Sequence, residues 1–493
     1  MKRRGRPRWT PVPALASALA AALALPLAGP LAGQERFRKI PPLPDSRLEL
    51  RLPAIESGVL SNGLTVSVAP KPGAPFVGLQ LVIFAGESDS PPDLPGLAAL
   101  TARMIGRGTR VLSAEAVEEQ IEAMGADFSV TVTMDYTALR LNVLEEHLDQ
   151  ALTIFRQIVL EPQFSDFEVS NAKRTYFYEL LAEAKNPEFV GRRLLLRLLF
   201  EEHPYERACY PKEAVPRLTS RDIAAFYGSF YRPNNAVFLL TGNLNLAVSA
   251  RKVSRHFGTW AAQMVERASP SPPVPNTGER ICFIDHPGAQ DASIFVGNVA
   301  IPASSPDHFA FQVLNQILGG TTGSRLFMDL REAKGYAYSA FSEARFYRSA
   351  GAYWAKAEVP RESIHAAVTE IFNELRLLSA ERLGPDEIEA AKSFLIGHLP
   401  LGFESPEDFS ARLADVTGLG LDDQHWARLP EGLVLVNVEK VLEVAQRIFP
   451  PVPLVVIVGN REWAGQVLGN FDVVEIYDSN GAFSMTLHKG VER

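Results

Sequence analysis

Residues 231–243 read YRPNNAVFLLTGN, and residues 449–460 read FPPVPLVVIVGN. Each is an apolar run of strand length closed by Gly-Asn, and each follows an amphipathic helical stretch. Gly242 and Gly459 lie 217 residues apart. Upstream, FSDFEVSNAK (164–173) and LGPDEIEAAK (383–392) end on Ala-Lys pairs 219 residues apart. FVGLQLVIFAG (76–86) similarly has a counterpart in ASIFVGNVAI (292–301). Three separated segments sharing an offset of about 217 residues mark an internal duplication. The boundaries expected are 34–267 for a first domain and 281–493 for a second. ASPSPPVPNTGER (268–280) joins them, and its four prolines make it a stiff, extended linker.

Both halves show the same coarse order. GLTVSVAP and FVGLQLVIFAG read as two strands of a hairpin-like pair. A helix is expected over about 96–106 in the first half and 306–318 in the second. Another begins near Ser113, a suitable N-cap. DFSVTVTMDYTALRLNV, and AYSAFSEARFYRSAGAYWAKAEV in the second half, read as a further strand pair. Helices and a last strand close each half. The fold class expected is α+β: two similar domains, each an antiparallel-rich sheet with helices packed on one side, joined by the Pro-rich linker.

The 493 residues are 46% hydrophobic and 22% charged, which excludes a disordered or collagen-like chain. Lys and Arg number 49 against 57 Asp and Glu, so a general nucleic-acid-binding surface is not expected. Cys209 and Cys282 lie in different halves without CxxC spacing, which rules out a thiolate zinc site or a disulfide framework. Two isolated buried thiols are expected. The chain opens MKRRGRPRW, continues ALASALAAALALPLAG and reaches small residues before Gln34, the order of a secretory signal over residues 1–33. Its removal takes five positive charges and leaves a mature charge of −13. A secreted protein without an integral membrane span follows, periplasmic in a double-membrane bacterium.

None of the nine histidines falls within one helical turn of another, so no H-E-x-x-H or H-x-x-E-H pair exists. G-x-S-x-G and GxxxxGK[ST] are also absent. The residues by themselves name no catalytic centre.

GLAALTARMIGRGT (96–109) closely resembles the zinc-binding helix of the insulinase/pitrilysin-type metallopeptidases, G-x-A-H-x-x-E-H-M-x-x-x-G-T. Gly96, Ala98, Met104, Gly108 and Thr109 keep its frame. Under that resemblance Ala99 stands where the first histidine ligand belongs, Ala102 where the glutamate base belongs, and Arg103 where the second histidine belongs. The family's third ligand, a glutamate 76 or 77 residues beyond that second histidine, is matched by Glu179. The resemblance extends through VLSNGLTVSVAPKPGAPFVGLQLVIFAGESDSP, HPYERACYPKEAVPRLTSRDIAAFYGSFYRPNNAVFLLTGN and LNQILGGTTGSRLFMDLREAKGYAYSAFSE.

Alanine offers zinc no lone pair, and a guanidinium repels a dication. No zinc site and no autonomous peptidase activity are therefore expected. Arg103 could instead fill the ion's place and pair with Glu179, leaving that carboxylate satisfied.

The second half keeps what the first has lost. In the family an arginine and a tyrosine seven residues apart hold the scissile peptide, and Arg331 and Tyr338 in LREAKGYAYS match them. The resemblance also assigns Gly319, Gly320 and Gly323 to a substrate-binding glycine-rich loop. It thus implies the non-catalytic subunit of a two-subunit bacterial or mitochondrial-processing-type peptidase, whose zinc sits in a homologous partner and whose substrate is an unfolded peptide. The alternative reading is a non-enzymatic scaffold or peptide-binding protein of the same fold.

Overall fold

The computed structural model describes residues 52–267, 270–380, 383–449, 453–469 and 471–489. The expected signal at 1–33 lies outside them.

Six strands build the first sheet: β1 (Glu56–Val59), β2 (Thr65–Pro70), β3 (Phe76–Ile83), β4 (Asp127–Val132), β5 (Thr137–Leu144) and β6 (Ala236–Gly242). Their order is β1-β2-β6-β3-β5-β4. The second sheet holds β7 (Arg280–Asp285), β8 (Ala292–Ala300), β9 (Ser339–Phe346), β10 (Gly351–Val359), β11 (Leu454–Gly459), β12 (Val473–Tyr477) and β13 (Phe483–His488). Its order is β13-β12-β7-β11-β8-β10-β9. The blocks β2-β6-β3-β5-β4 and β7-β11-β8-β10-β9 are the same arrangement written twice. The two Gly-Asn strands, β6 and β11, occupy the same central place in both. Most neighbouring pairs are antiparallel; β2 with β6, and β7 with β11 and β12, are parallel.

The hairpin-like pair expected from GLTVSVAP and FVGLQLVIFAG does not form, because β6 lies between β2 and β3. The connector carries Pro72 and Pro75, which cannot donate to a ladder, and the Lys71 N–H bonds the Gly242 carbonyl instead. The second half also continues past its Gly-Asn strand into β12 and β13. The pairs β4–β5 and β9–β10 form as expected.

Helices α1 (Leu97–Met104), α2 (Ala114–Ala123), α3 (Leu148–Leu160), α4 (Asp166–Glu183), α5 (Pro187–Leu199), α6 (Ser220–Phe230) and α7 (Leu246–Phe257) belong to the first half. The Ser113 side chain caps α2 by accepting the Ala116 N–H at 3.2 Å. The second half carries α8 (His308–Gly319), α9 (Ile364–Ala380), α10 (Pro385–His398), α11 (Pro406–Leu419), α12 (His425–Leu435), α13 (Val438–Ile448) and α14 (Ala464–Leu468).

Alternate residues of each central strand enter two different cores, as a two-residue repeat requires. On β6, Phe238 and Leu240 join Phe155 of α3 and Phe257 of α7, while Leu239 turns to the opposite face. That opposite face is covered by α11 of the other half, through Phe409, Leu413 and Ala414. Reciprocally, Val456 and Val458 of β11 pack against Leu194 and Leu195 of α5, a helix of the first half. Each half therefore covers one face of its sheet with its own helices and lends one helix to the other. Glycine permits both close approaches. A Cβ on Gly191 of α5 would run into the Phe295 ring, and one on Gly418 of α11 into the Tyr136 ring.

Polar contacts join the two halves at the hairpin turns. Asp135 accepts the Tyr205 hydroxyl at 2.7 Å and the Arg348 backbone N–H at 2.9 Å. Tyr136 donates its hydroxyl to Asp415, and Ser410 of α11 donates to Gln80 of β3 at 2.8 Å. Cys209 and Cys282 are both buried and free. Burial pushes the Cys209 thiol up to about 11, which leaves it unreactive at neutral pH.

Candidate functional site

Helix α1 begins at Gly96, whose φ of +84° belongs to the left-handed region and suits glycine. A Cβ there would also meet the Tyr210 ring. This start turns Ala99, Ala102 and Arg103 toward α4, the helix that carries Glu179. Tyr176, Glu179 and Glu183 recur on α4 at three- and four-residue spacing, so they share one face.

Arg103 and Glu179 meet. Arg103 Nη2 stands 2.7 Å from Glu179 Oε2, with side-chain exposures of 37% and 45%. The Arg103 guanidinium also lies over the Tyr176 ring, 3.9 Å from its centroid, a cation–π contact. The Tyr176 and Tyr210 hydroxyls bond each other, and the Tyr210 carbonyl accepts from Arg193. Arg103, Tyr176, Tyr210 and Arg193 line a cleft of about 440 Å³ that also takes in Glu87, Ala99 and Ala102.

Glu87 follows β3 in the loop FAGESD and is buried. Burial pushes its carboxyl up to about 8, against the lowering effect of the Ala99 N–H, Ser90 and the Arg103 charge. Burial likewise raises Glu183, helped by the neighbouring Glu179. At neutral pH the Glu87 side chain in this cleft is therefore a neutral carboxylic acid. Glu87, Tyr176 and Tyr210 were not among the residues singled out from sequence. They come from three separate segments and carry no motif; the signal available was a carboxylate four residues past a largely apolar strand.

The donor set does not fit zinc. Two of the positions that the resemblance gives to metal chemistry end in methyl groups, and the third is a cation already bonded to the single remaining carboxylate. A grouping of three carboxylates, Asp329, Glu370 and Glu374, lies in the other half. Lys334 bridges its first two members at 3.0 and 2.6 Å.

Arg331 and Tyr338 lie on one segment of the second half. A π-helical turn, Phe327–Ala333, presents Arg331 to solvent, with its guanidinium 4.8 Å from the Phe327 ring centroid. Leu330 is buried, and its carbonyl accepts the N–H groups of Tyr336 and Ala337 at 2.7 and 3.2 Å. Tyr338 gives its N–H to the Glu358 carbonyl at 2.8 Å and is itself 57% exposed. A firmly anchored turn thus holds out a guanidinium and a phenol. Among the described residues, no hydrogen bond or ion pair joins either to Arg103 or Glu179.

The glycines of the loop differ in role. Gly319 is buried where a Cβ would strike the backbone at Phe341 and Ser342, so it fits the loop to β9. Gly320 faces solvent but crowds Gln316. Gly323 is exposed with open space around it.

The duplicated half-sheets define a two-domain, peptidase-type scaffold. The chain belongs to the insulinase family, peptidase family M16: residues 65–212 match the description Insulinase (Peptidase family M16), and residues 217–395 match Peptidase M16 inactive domain. It is 22% identical over 392 residues to the uncharacterized zinc protease YmxG of Bacillus subtilis strain 168, covering 79% of this chain and 94% of that one. It is 23% identical over 333 residues to the non-peptidase homolog YmxG of Helicobacter pylori strain 26695, covering 66% and 76%. A crystal structure of a peptidase M16 inactive domain from Pseudomonas fluorescens superposes with a TM-score of 0.76 at 21% identity, covering 83% of this chain and 98% of that one. No helix among the described residues is long and apolar enough to cross a membrane.

Proposed function

We propose that this chain is the catalytically incomplete subunit of a secreted zinc metallopeptidase. It pairs with a homologous chain that carries the metal, and zinc belongs to that partner alone. The observation that carries this reading is the contrast between the two halves. The metal positions are filled by methyl groups and an internal ion pair, whereas Arg331 and Tyr338 stand exposed on an anchored segment, Arg331 with only its neighbour Glu332 at 3.7 Å as an ion-pair partner among the described residues. A guanidinium can donate to a peptide carbonyl, and a phenol can donate to an oxyanion as it forms. In the assembled pair both groups reach the partner's site, with Gly320 and Gly323 beside the bound peptide.

The test is a tagged pull-down from native extract, with peptide hydrolysis assayed on the eluate with and without a metal chelator. A homologue with an intact H-x-x-E-H helix should co-elute, and chelator should abolish its activity. Arg331→Ala or Tyr338→Phe should abolish activity while the partner is retained. Elution alone, or an inert eluate, sinks the reading and favours a peptide-binding or scaffold protein of the same fold.

A further inference from the structure

The π-helical turn Phe327–Ala333 lies between α8 and β9. Such turns are rare and are frequent at functional sites. One residue added to a helical turn rotates every later side chain by about 100° around the axis. The direction of Arg331 therefore depends on the chain keeping this wider register. The bond that marks the register runs from the Lys334 N–H to the Asp329 carbonyl at 3.0 Å.

Charged side chains tie the turn down at both ends. At its entry, Arg325 donates to Glu387 of α10 through Nε at 2.6 Å and Nη2 at 2.9 Å, a two-pronged pair. At its exit, Lys334 Nζ stands 3.0 Å from Asp329 Oδ2, within the turn, and 2.6 Å from Glu370 Oε1 on α9. Asp329 and Glu370 are half-buried, so solvent screens these contacts less than a surface pair. Beyond Lys334 the chain doubles back through Gly335, whose φ of +66° suits glycine. Arg331 takes part in neither tie.

The lysine also keeps two like charges together. Carboxylate oxygens of Asp329 and Glu370 lie within 4.8 Å of one another. With the ammonium between them they hold the turn against α9. Without it they repel, and the repulsion drives the turn away from that helix.

We infer that Lys334 is a positioning residue: by bridging Asp329 and Glu370 it holds the π register and so fixes where Arg331 presents its guanidinium. This rests on the role proposed above for Arg331 and Tyr338 and says what sets their place. Misplacing a reacting group by about 1 Å costs up to about a hundredfold in rate. Loosening the turn should therefore lower kcat and leave the partner bound.

Two measurements on the same variants test this. The first is amide hydrogen exchange in the full chain alone, followed at Tyr336 and Ala337, whose N–H groups bond the Leu330 carbonyl. Lys334→Met should speed their exchange by about tenfold. Lys334→Arg keeps the charge and should restore most of the protection. The second is peptide hydrolysis by the complex recovered in the pull-down. There Lys334→Met should lower kcat by about tenfold with KM unchanged, and Lys334→Arg should recover it. Lys440→Met breaks an ion pair with Asp307 elsewhere in the same half and should leave both readouts at wild-type values.

The inference is overturned if exchange is unchanged in Lys334→Met, if exchange rises while kcat holds, or if Lys440→Met has the same effects. A complex that stays fully active with Arg331→Ala, or an inert eluate, sinks the subunit reading instead. The exchange measurement on the chain alone then still decides whether Lys334 holds the turn.

Discussion

Arg103 Nη2 and Glu179 Oε2 are 2.7 Å apart, joining helix α1 to helix α4. A tethered cation thus stands against the carboxylate that would otherwise face its neighbour Glu183 without a counter-charge. Both side chains are more than a third exposed, so solvent screens the pair and its coupling is small, about 0.5–1 kcal/mol. Urea unfolding of Arg103→Ala, Glu179→Gln and the double variant should show non-additive losses, with Arg103→Ala the costlier single change. Additive losses would mean that the pair does not act as a unit.

Glu87 makes the pH dependence of stability readable. Its carboxyl is pushed up from 4.5 to about 8 by burial, so the folded state holds a proton that the unfolded chain releases at lower pH. The stabilising effect of that proton is fully present below about 4.5 and is lost as pH rises toward 8. Glu87→Gln keeps a neutral side chain at every pH. The variant should gain on the wild type across this window, by up to a few kcal/mol. Unfolding curves at pH 5, 7 and 9 test this; a stability difference independent of pH would show that Glu87 is ionised in the folded protein.

The two lent helices depend on glycine where they touch the opposite sheet. Gly191→Ala and Gly418→Ala should each destabilise the chain by about 1–3 kcal/mol through overpacking, because Phe295 and Tyr136 occupy the space. Gly465→Ala in α14 meets nothing within 4 Å and serves as the neutral control. Thermal melts of the three variants suffice, and wild-type stability for Gly191→Ala would contradict the packing described.

Tyr205→Phe removes a hydroxyl that donates to Asp135 at 2.7 Å and accepts the Ser349 N–H at 3.0 Å. The site is buried, so the partners it leaves behind are deprived of a bond they cannot easily replace. A loss of about 1–3 kcal/mol in chemical denaturation is expected. An unchanged midpoint would mean that water takes over the hydroxyl's place.

Much of this was legible in the amino-acid order, and the limits have physical causes. The repeat in LTGN and IVGN located β6 and β11 because a buried strand must be apolar throughout. Helices were expected on one side of each sheet, and nothing local to LVVIV says that a second cover comes from α5, more than 250 residues earlier. The placement of β6 between β2 and β3 was hidden for the same reason: pairing across such a separation leaves no trace in a short window. At the site, Arg103 and Glu179 could be matched because the frame of residues 96–109 fixes positions on one helix. Glu87 and Tyr210 reach the cleft only through tertiary packing, so periodicity could not point to them.

The exchange of α5 and α11 bears on what holds the molecule together. Each sheet borrows a hydrophobic cover from the far side of the proline-rich connection, as protomers of a swapped dimer do. A protease nick in that connection, between residues 270 and 279, should therefore leave the two fragments co-migrating on a sizing column under native conditions and parting only in denaturant. Continuity of the backbone supplies local concentration for the two halves; their interlock supplies the cohesion.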